Sequence, residues 1–305
     1  MRAFINELSE ILNNEQKELI EIDLILSSIL FELSQNKFFS NNFLLKGGTC
    51  LIKCYLDYYR FSEDLDFTFK NQELFRSKSK KEKRELRSKI INEVGNIIEE
   101  ICRRNNLDFK NDKSNNTYFR FQSNQFFDLK IYYNSNVINV RKMLKIQINL
   151  IECLKYQFIQ KTLKSIIPEK RELEFLFPNE YKKYRNEINI FIYDIREILC
   201  EKVRAILTRR DIKPRDLIDV YFIVKAFDFN IYDFKSQIIN KTKFVLKFEK
   251  FKKNFKDKKR IIETDNLFDL GEEKRLLLCS LDYNLFNPFL EQFKTFLKEL
   301  IKQIS

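Results

Sequence analysis

Apolar residues recur at helical spacing through residues 11–35, at Leu19, Ile22, Ile25, Leu26, Ile29 and Leu33, the pattern of an amphipathic helix. Residues 43–46 form a short apolar run that predicts a strand. It ends at Gly47-Gly48, and residues 47–56 predict a turn followed by a helix. Residues 64–69 predict a second strand, with Leu65, Phe67 and Phe69 alternating against Asp64, Asp66 and Thr68. A basic run from Arg76 to Arg84 opens a helix carried by Ile90, Ile91, Val94, Ile97, Ile98 and Ile101. Residues 117–121 and 126–133 alternate as strands do. So do residues 137–150, where Leu144, Ile146, Ile148 and Leu150 share one face. Pro168 and Pro178 mark a connecting region, and from residue 194 onward the pattern is helical: 195–208, 214–227, a basic stretch at 235–260, 272–280 and 287–303. The expected architecture is α+β, with an α+β domain over residues 1–160 and a mostly helical domain over 161–305.

Composition narrows the chemistry. The chain has no histidine, which excludes Ser-His-Asp, Cys-His and His-liganded zinc sites. Its six cysteines contain no C-x-x-C pair, so a cysteine zinc site is poorly supported, and Cys50 and Cys54 fit a helix face packed in a core. The N-terminus has no signal-peptide pattern and no apolar run is long enough to span a bilayer, so we expect a reduced, cytoplasmic protein without a membrane partner. The formal net charge is +12. That surplus favours a polyanionic partner, although a Lys-, Asn-, Ile- and Phe-rich composition also arises from an AT-rich genome.

Glycine is informative through its scarcity. An average chain of this length carries about twenty; this one has four, and two are adjacent at 47 and 48. Glycine lets a backbone approach a phosphate closely, and a helix N-terminus favours an anion. Thr49 either caps the helix or donates to a phosphate oxygen. Just downstream, Asp64 and Asp66 fall on one face of the predicted strand. Two carboxylates one pleat apart repel unless a cation lies between them, and hard oxygen ligands suit Mg²⁺. A third group lies further on. Lys202 and Arg209 can share a polar helix face, either holding phosphate or simply solvated. Asp216 and Asp219 open the helix after Pro214, where acids also favour the dipole.

Together, Lys46-Gly47-Gly48-Thr49, Arg60-Phe61-Ser62-Glu63-Asp64-Leu65-Asp66-Phe67, and Glu201-Lys202-x-x-Ala205 with Arg215-Asp216-x-x-Asp219 resemble the AbiEii-type nucleotidyltransferase family. Its members are the toxins of type IV toxin–antitoxin and phage abortive-infection systems. The resemblance spans roughly residues 40–225. It implies a polymerase-β-like nucleotidyltransferase core, a mixed sheet flanked by helices, followed by a helical C-terminal region. It also implies Mg²⁺- or Mn²⁺-dependent use of an NTP, an RNA acceptor such as the tRNA 3′ end, and restraint by a cognate antitoxin. By the same resemblance Gly47, Gly48 and Thr49 contact the triphosphate and Asp64 and Asp66 bind metal. Lys202 grips phosphate, with Arg209 beside it as a further nucleotide-binding candidate, and Asp216 or Asp219 completes the site. Arg60 and Ser62 support either the carboxylate strand or the nucleotide.

The sequence departs from the superfamily pattern at one point. The later strand expected to bring a third carboxylate carries Lys145, Gln147 and Asn149 on its polar face. An amide oxygen can ligate Mg²⁺ but cannot serve as a general base near neutral pH. Either another acid, Asp128 or Glu152, substitutes, or catalysis is impaired. That departure motivates one alternative to an RNA-directed toxin, a nucleotide- or RNA-binding module of the same fold; a separate alternative is an adenylyltransferase of a protein or small molecule. The basic stretches at 76–89 and 235–260 are candidate RNA contacts; the Phe residues spaced along the second fit the apolar face of an amphipathic helix.

Overall fold

The computed structural model describes residues 1–76, 78–122, 126–263 and 271–304; Ser77, within the basic run, lies outside them. The chain groups into two compact units, one of residues 1–152 and 158–192, the other of residues 153–157 and 193–305.

The first unit is built on a seven-stranded mixed sheet. Its strands are β1 (Phe43–Lys46), β2 (Asp64–Phe69), β3 (Phe119–Phe121), β4 (Phe126–Asn134), β5 (Arg141–Asn149), β6 (Ile159–Thr162) and β7 (Asn189–Ile192), in the order β3-β4-β5-β2-β1-β7-β6. Strand β2 is central, antiparallel to β1 and parallel to β5. Helices α1 (Arg2–Ile11), α2 (Lys17–Gln35), α3 (Lys37–Asn42), α4 (Gly47–Leu51), α5 (Glu73–Arg76), α6 (Lys80–Arg104), α7 (Arg171–Leu176) and α8 (Pro178–Tyr184) complete the unit. The alternation read in residues 64–69 holds: Leu65, Phe67 and Phe69 are buried, while Asp64 and Asp66 are half-buried. Thr68 shares the face of the aspartates but is fully covered. Helix α6 starts at a capping box in which Ser79 and Glu82 satisfy each other's backbone N–H groups. It buries Ile90, Val94, Ile97, Ile98 and Ile101.

The break expected at residue 160 instead falls at 192. The stretch marked by Pro168 and Pro178 holds two four-residue strands, and β7 pairs parallel to β1 and antiparallel to β6, which keeps residues 158–192 on the sheet. Such short strands carry too few alternating positions to stand out in a sequence.

The second unit comprises α9 (Ile195–Thr208), α10 (Pro214–Phe227), α11 (Lys235–Val245), α12 (Glu249–Glu263) and α13 (Tyr283–Ile304). The helix expected over 272–280 is a 3₁₀ turn over Gly271–Leu276. Pro214 starts α10, where its missing N–H costs nothing. Residues 153–157 belong to this unit because Glu197, buried on α9, holds them. Its Oε2 accepts from the backbone N–H groups of Lys155 (2.7 Å) and Tyr156 (2.8 Å). Lys241, fully buried on α11, pairs with Glu197 and donates to the Cys153 carbonyl at 2.8 Å. The basic stretch 235–260 is thus not wholly a solvated face. Lys241 is spent inside, as is Lys258, which donates to the Arg210 carbonyl at 2.7 Å. Phe255 is buried, whereas Phe244, Phe248 and Phe251 are half-buried. Cys50 and Cys54 are buried, as core residues are. Among the described residues no helix is long and apolar enough to cross a membrane.

Candidate active site

In the first unit the sheet arranges polar residues in rows. Lys46 on β1 pairs with Asp66 on β2, Asp66 with Gln147 on β5, and Gln147 with Asp128 on β4. Directly opposed residues point to the same face, so Lys46, Asp66, Gln147 and Asp128 form one row across four strands. The adjacent row pairs Asp64 with Lys145 and Lys145 with Lys130.

The glycine turn meets this face. The chain leaves β1 at Lys46 and turns at Gly47, whose φ of +72° lies in the left-handed region that L side chains rarely adopt. A Cβ at Gly47 would collide with the Asp66 carboxylate, and one at Gly48 would stand 2.7 Å from Arg60 Nη2 and 3.2 Å from Ser62 Oγ. The paired glycines are therefore required by close approach on both sides. Thr49 is buried, and its hydroxyl donates to the Asp64 carbonyl at 2.6 Å and lies 2.9 Å from Ser62 Oγ. In this arrangement Thr49 ties the turn to the start of β2. Arg60, also buried, donates to the Phe61 carbonyl at 2.7 Å and lies beneath Gly48. Helix α4 then passes into a π-helical turn, Ile52–Leu56, whose buried Lys53 pairs with Asp23 (2.8 Å) and donates to Ser27 (3.0 Å) of α2. Changing Gly47 to Ala should therefore cost about 1–2 kcal/mol in left-handed backbone strain alone. It should also push Asp66 aside, so thermal unfolding and nucleotidyl transfer will both register the change. A variant with wild-type stability and activity would contradict the close fit.

Charge at this face is concentrated. Lys145 Nζ pairs with Asp64 Oδ2 at 2.9 Å. Burial works against the Lys145 charge, but Asp64, then Asp66 and Asp128, outweigh it and raise its pKa. Asp128 is 2% exposed, and the Gln122 side-chain amide donates to its two oxygens at 3.0 and 2.8 Å. Burial raises the Asp128 pKa; the Gln122 hydrogen bonds and the charges of Lys145 and Arg120 only partly oppose it. Glu152, the other acid considered, is buried with Asn149, which donates to it at 2.9 Å, and with Lys46 at 4.0 Å. Asp128, reached through Gln147, is thus the carboxylate in the row of Asp66. The strand expected to carry the third acid lacks one, and the neighbouring strand β4 carries Asp128 in that row. Gln122 carries no local signal in the sequence, because the pairing of β3 with β4 is what brings it to Asp128.

In the second unit Lys202, Arg209, Asp216 and Asp219 form one cluster. Lys202 Nζ lies 2.8 Å from Asp216 Oδ1 and 2.6 Å from Asp219 Oδ2, and Arg209 Nη1 lies 2.5 Å from Asp216 Oδ2. Both carboxylates are fully buried. Burial works against the Asp216 charge, but Lys202 and Arg209 outweigh it and hold its pKa below the ordinary carboxylate range. Lys202 is itself nearly buried, whereas the Arg209 side chain is 45% exposed. The structure thus brings Gly47, Gly48, Thr49, Arg60, Ser62, Asp64 and Asp66 together in the first unit and the Lys202 group together in the second.

Among the described residues no three acids or cysteines are grouped to cage a metal ion. The site fits a cation nonetheless, because an ammonium already rests against Asp64 and is attracted by Asp66 and Asp128. Mg²⁺ at phosphate sites is commonly held by one or two carboxylates plus the phosphates themselves, not by an all-protein cage.

Comparison with known proteins gives these motifs a family. No curated protein matches the chain. JHP933 from Helicobacter pylori has 16% identity and a TM-score of 0.44, with 94% of each chain covered. A second H. pylori structure, described as a candidate nucleotidyltransferase, has 16% identity and a TM-score of 0.46, covering 94% of this chain and 98% of that one. The family model "Nucleotidyl transferase AbiEii toxin, Type IV TA system" matches residues 28–302. That match contains the glycine turn, the aspartate strand and the Lys202 cluster, and the chain belongs to the AbiEii family of nucleotidyltransferase toxins of type IV toxin–antitoxin systems.

Proposed function

We propose that this nucleotidyltransferase transfers nucleotides from an NTP to RNA, with the tRNA 3′ end as acceptor, in a Mg²⁺- or Mn²⁺-dependent reaction in the cytoplasm that arrests growth unless a cognate antitoxin restrains it. The observation that carries this reading is the meeting of Asp66 with the Gly47-Gly48 turn, which puts a carboxylate against backbone that a phosphate can approach. Asp64 and Asp66 would hold the metal, which when bound would neutralise polyphosphate charge and orient the leaving group. Gly47 and Gly48 admit the phosphates, with Thr49, Ser62 and Arg60 bracing the turn beneath them. Asp128, whose pKa burial raises, is the candidate to receive the acceptor hydroxyl's proton, a role Gln147 cannot fill. In the second unit Asp216 and Asp219 orient Lys202 and Arg209, and the exposed Arg209 offers its charge to phosphate. The RNA acceptor is supported by the net charge of +12 and by exposed Lys80, Lys81, Arg84 and Lys89 on α6 and Lys250, Lys252, Lys253 and Lys256 on α12. Such contacts are salt-dependent.

Purified protein incubated with total RNA, Mg²⁺ and each labelled NTP in turn should label a tRNA-sized band, and EDTA should abolish the label. Label on a protein or a small molecule instead would favour the adenylyltransferase alternative. Nucleotide binding without any label would favour the binding module.

A further inference from the structure

Asp64 and Asp66 share a face of β2, and Asp128 stands in the row of Asp66 two strands away. Carboxylates placed like this repel one another unless a cation lies among them. Here the protein provides that cation. The parallel register of β2 and β5 sets Lys145 opposite Asp64, and its ammonium pairs with Asp64 Oδ2 at 2.9 Å. Lys130, next in the same row, turns away and donates to the Asn116 carbonyl at 2.9 Å. The Lys145 and Asp64 side chains are 31% and 30% exposed, so this pair lies open to an arriving solute.

An ammonium carries three N–H donors and no lone pair. It cannot ligate a metal, and it repels a dication placed on the carboxylate it occupies. A divalent ion arriving at Asp64 must displace it. The four-carbon stem of lysine permits the move, and phosphate oxygens arriving with the metal would accept the displaced charge.

We propose that Lys145 is a tethered counter-ion: it holds Asp64 in the metal-free enzyme, gives way to the divalent ion, and so couples metal binding to nucleotide binding. Metal alone then binds weakly, and metal with polyphosphate binds well. This inference rests on the reading of Asp64 and Asp66 as metal ligands. Lys145 acts through Asp64 and is a positioning residue.

The test is Mn²⁺ binding to the full chain, followed by electron paramagnetic resonance with and without a non-hydrolysable NTP analogue. Lys145→Met should bind Mn²⁺ alone about tenfold or more tightly than wild type, and adding the analogue should improve its Mn²⁺ affinity much less than it improves that of wild type. Lys145→Arg keeps the charge and should keep the weak wild-type affinity. If Lys145→Met folds poorly by circular dichroism, Lys145→Gln gives the same comparison. Mn²⁺ binding in the neutral variant that is equal to or weaker than wild type overturns the counter-ion role while leaving the metal site standing. Absence of Mn²⁺ binding in every form, with or without the analogue, overturns both the counter-ion role and the metal reading beneath it.

Discussion

Asn in place of Asp66 will lower nucleotidyl transfer at least about a hundredfold while leaving the protein folded. Losing an outer-sphere partner of a metal typically costs 10–100-fold in affinity or activity, and a direct ligand should reach at least the upper end of that range. The substitution is nearly isosteric, so the tight approach of residue 66 to Gly47 survives. What changes is charge and chemistry: one carboxylate oxygen becomes an amide NH₂, which leaves a single neutral oxygen to ligate the proposed metal. Stability should move by less than about 1 kcal/mol, because the half-buried carboxylate loses its attraction to Lys145 together with its repulsion from Asp64 and Asp128. Transfer rates with labelled NTP and RNA, read beside a thermal melt, separate the two effects. Activity within a few-fold of wild type would remove Asp66 from the site.

Lys202→Ala will be strongly destabilising, by about 3–5 kcal/mol, because it strips a shared cation from two buried carboxylates. Asp216 retains Arg209, but Asp219 loses its 2.6 Å contact with Lys202. By contrast Arg209→Ala, at a side chain 45% exposed, should cost no more than about 1 kcal/mol. The deficit has a pH signature. The folded-state pKa of Asp216 is depressed, so its contribution to stability is present above the unfolded value of about 3.9 and is lost as pH falls through the lower folded value. The gap between wild type and Lys202→Ala should therefore be widest near neutrality and narrow in acid. Urea melts across pH check this, and a gap that does not change with pH would show that Lys202 stabilises the unit by packing alone. Loss of transfer in Lys202→Ala mixes unfolding with chemistry; Lys202→Arg, which keeps the charge beside both aspartates, is the better probe of phosphate binding.

The parts of this molecule that depend on local pattern were legible in the sequence. The strand over 64–69, the turn at Gly47-Gly48 and the helix over 214–227 follow from alternation, glycine and proline, all readable within a few residues. The parts that depend on partner strands were not. Nothing local indicates that β5 runs parallel to β2 in the register that faces Lys145 with Asp64, or that β4 then brings Asp128 into the row of Asp66. Read from the sequence, the polar face of β5 lacks an acid; in the sheet, it bridges two acids. The strands β6 and β7 were missed because four residues cannot establish a period, and this moved the expected boundary from 192 to 160. Lys241 and Lys258 belong to the basic stretch expected to contact RNA, yet tertiary contacts with Glu197, the Cys153 carbonyl and the Arg210 carbonyl draw them inside. The glycine pair carried more than its local turn. Its necessity comes from Asp66 and Arg60 pressing on the same backbone from residues more than ten positions downstream.

The decisive measurement of this metal and nucleotide site is a crystal structure with Mg²⁺ and a non-hydrolysable NTP analogue. Metal density should lie on the carboxylates of Asp64 and Asp66, with the analogue's phosphates against the backbone of Gly47 and Gly48. Phosphates bound elsewhere, with both aspartates still turned to protein partners, would contradict it.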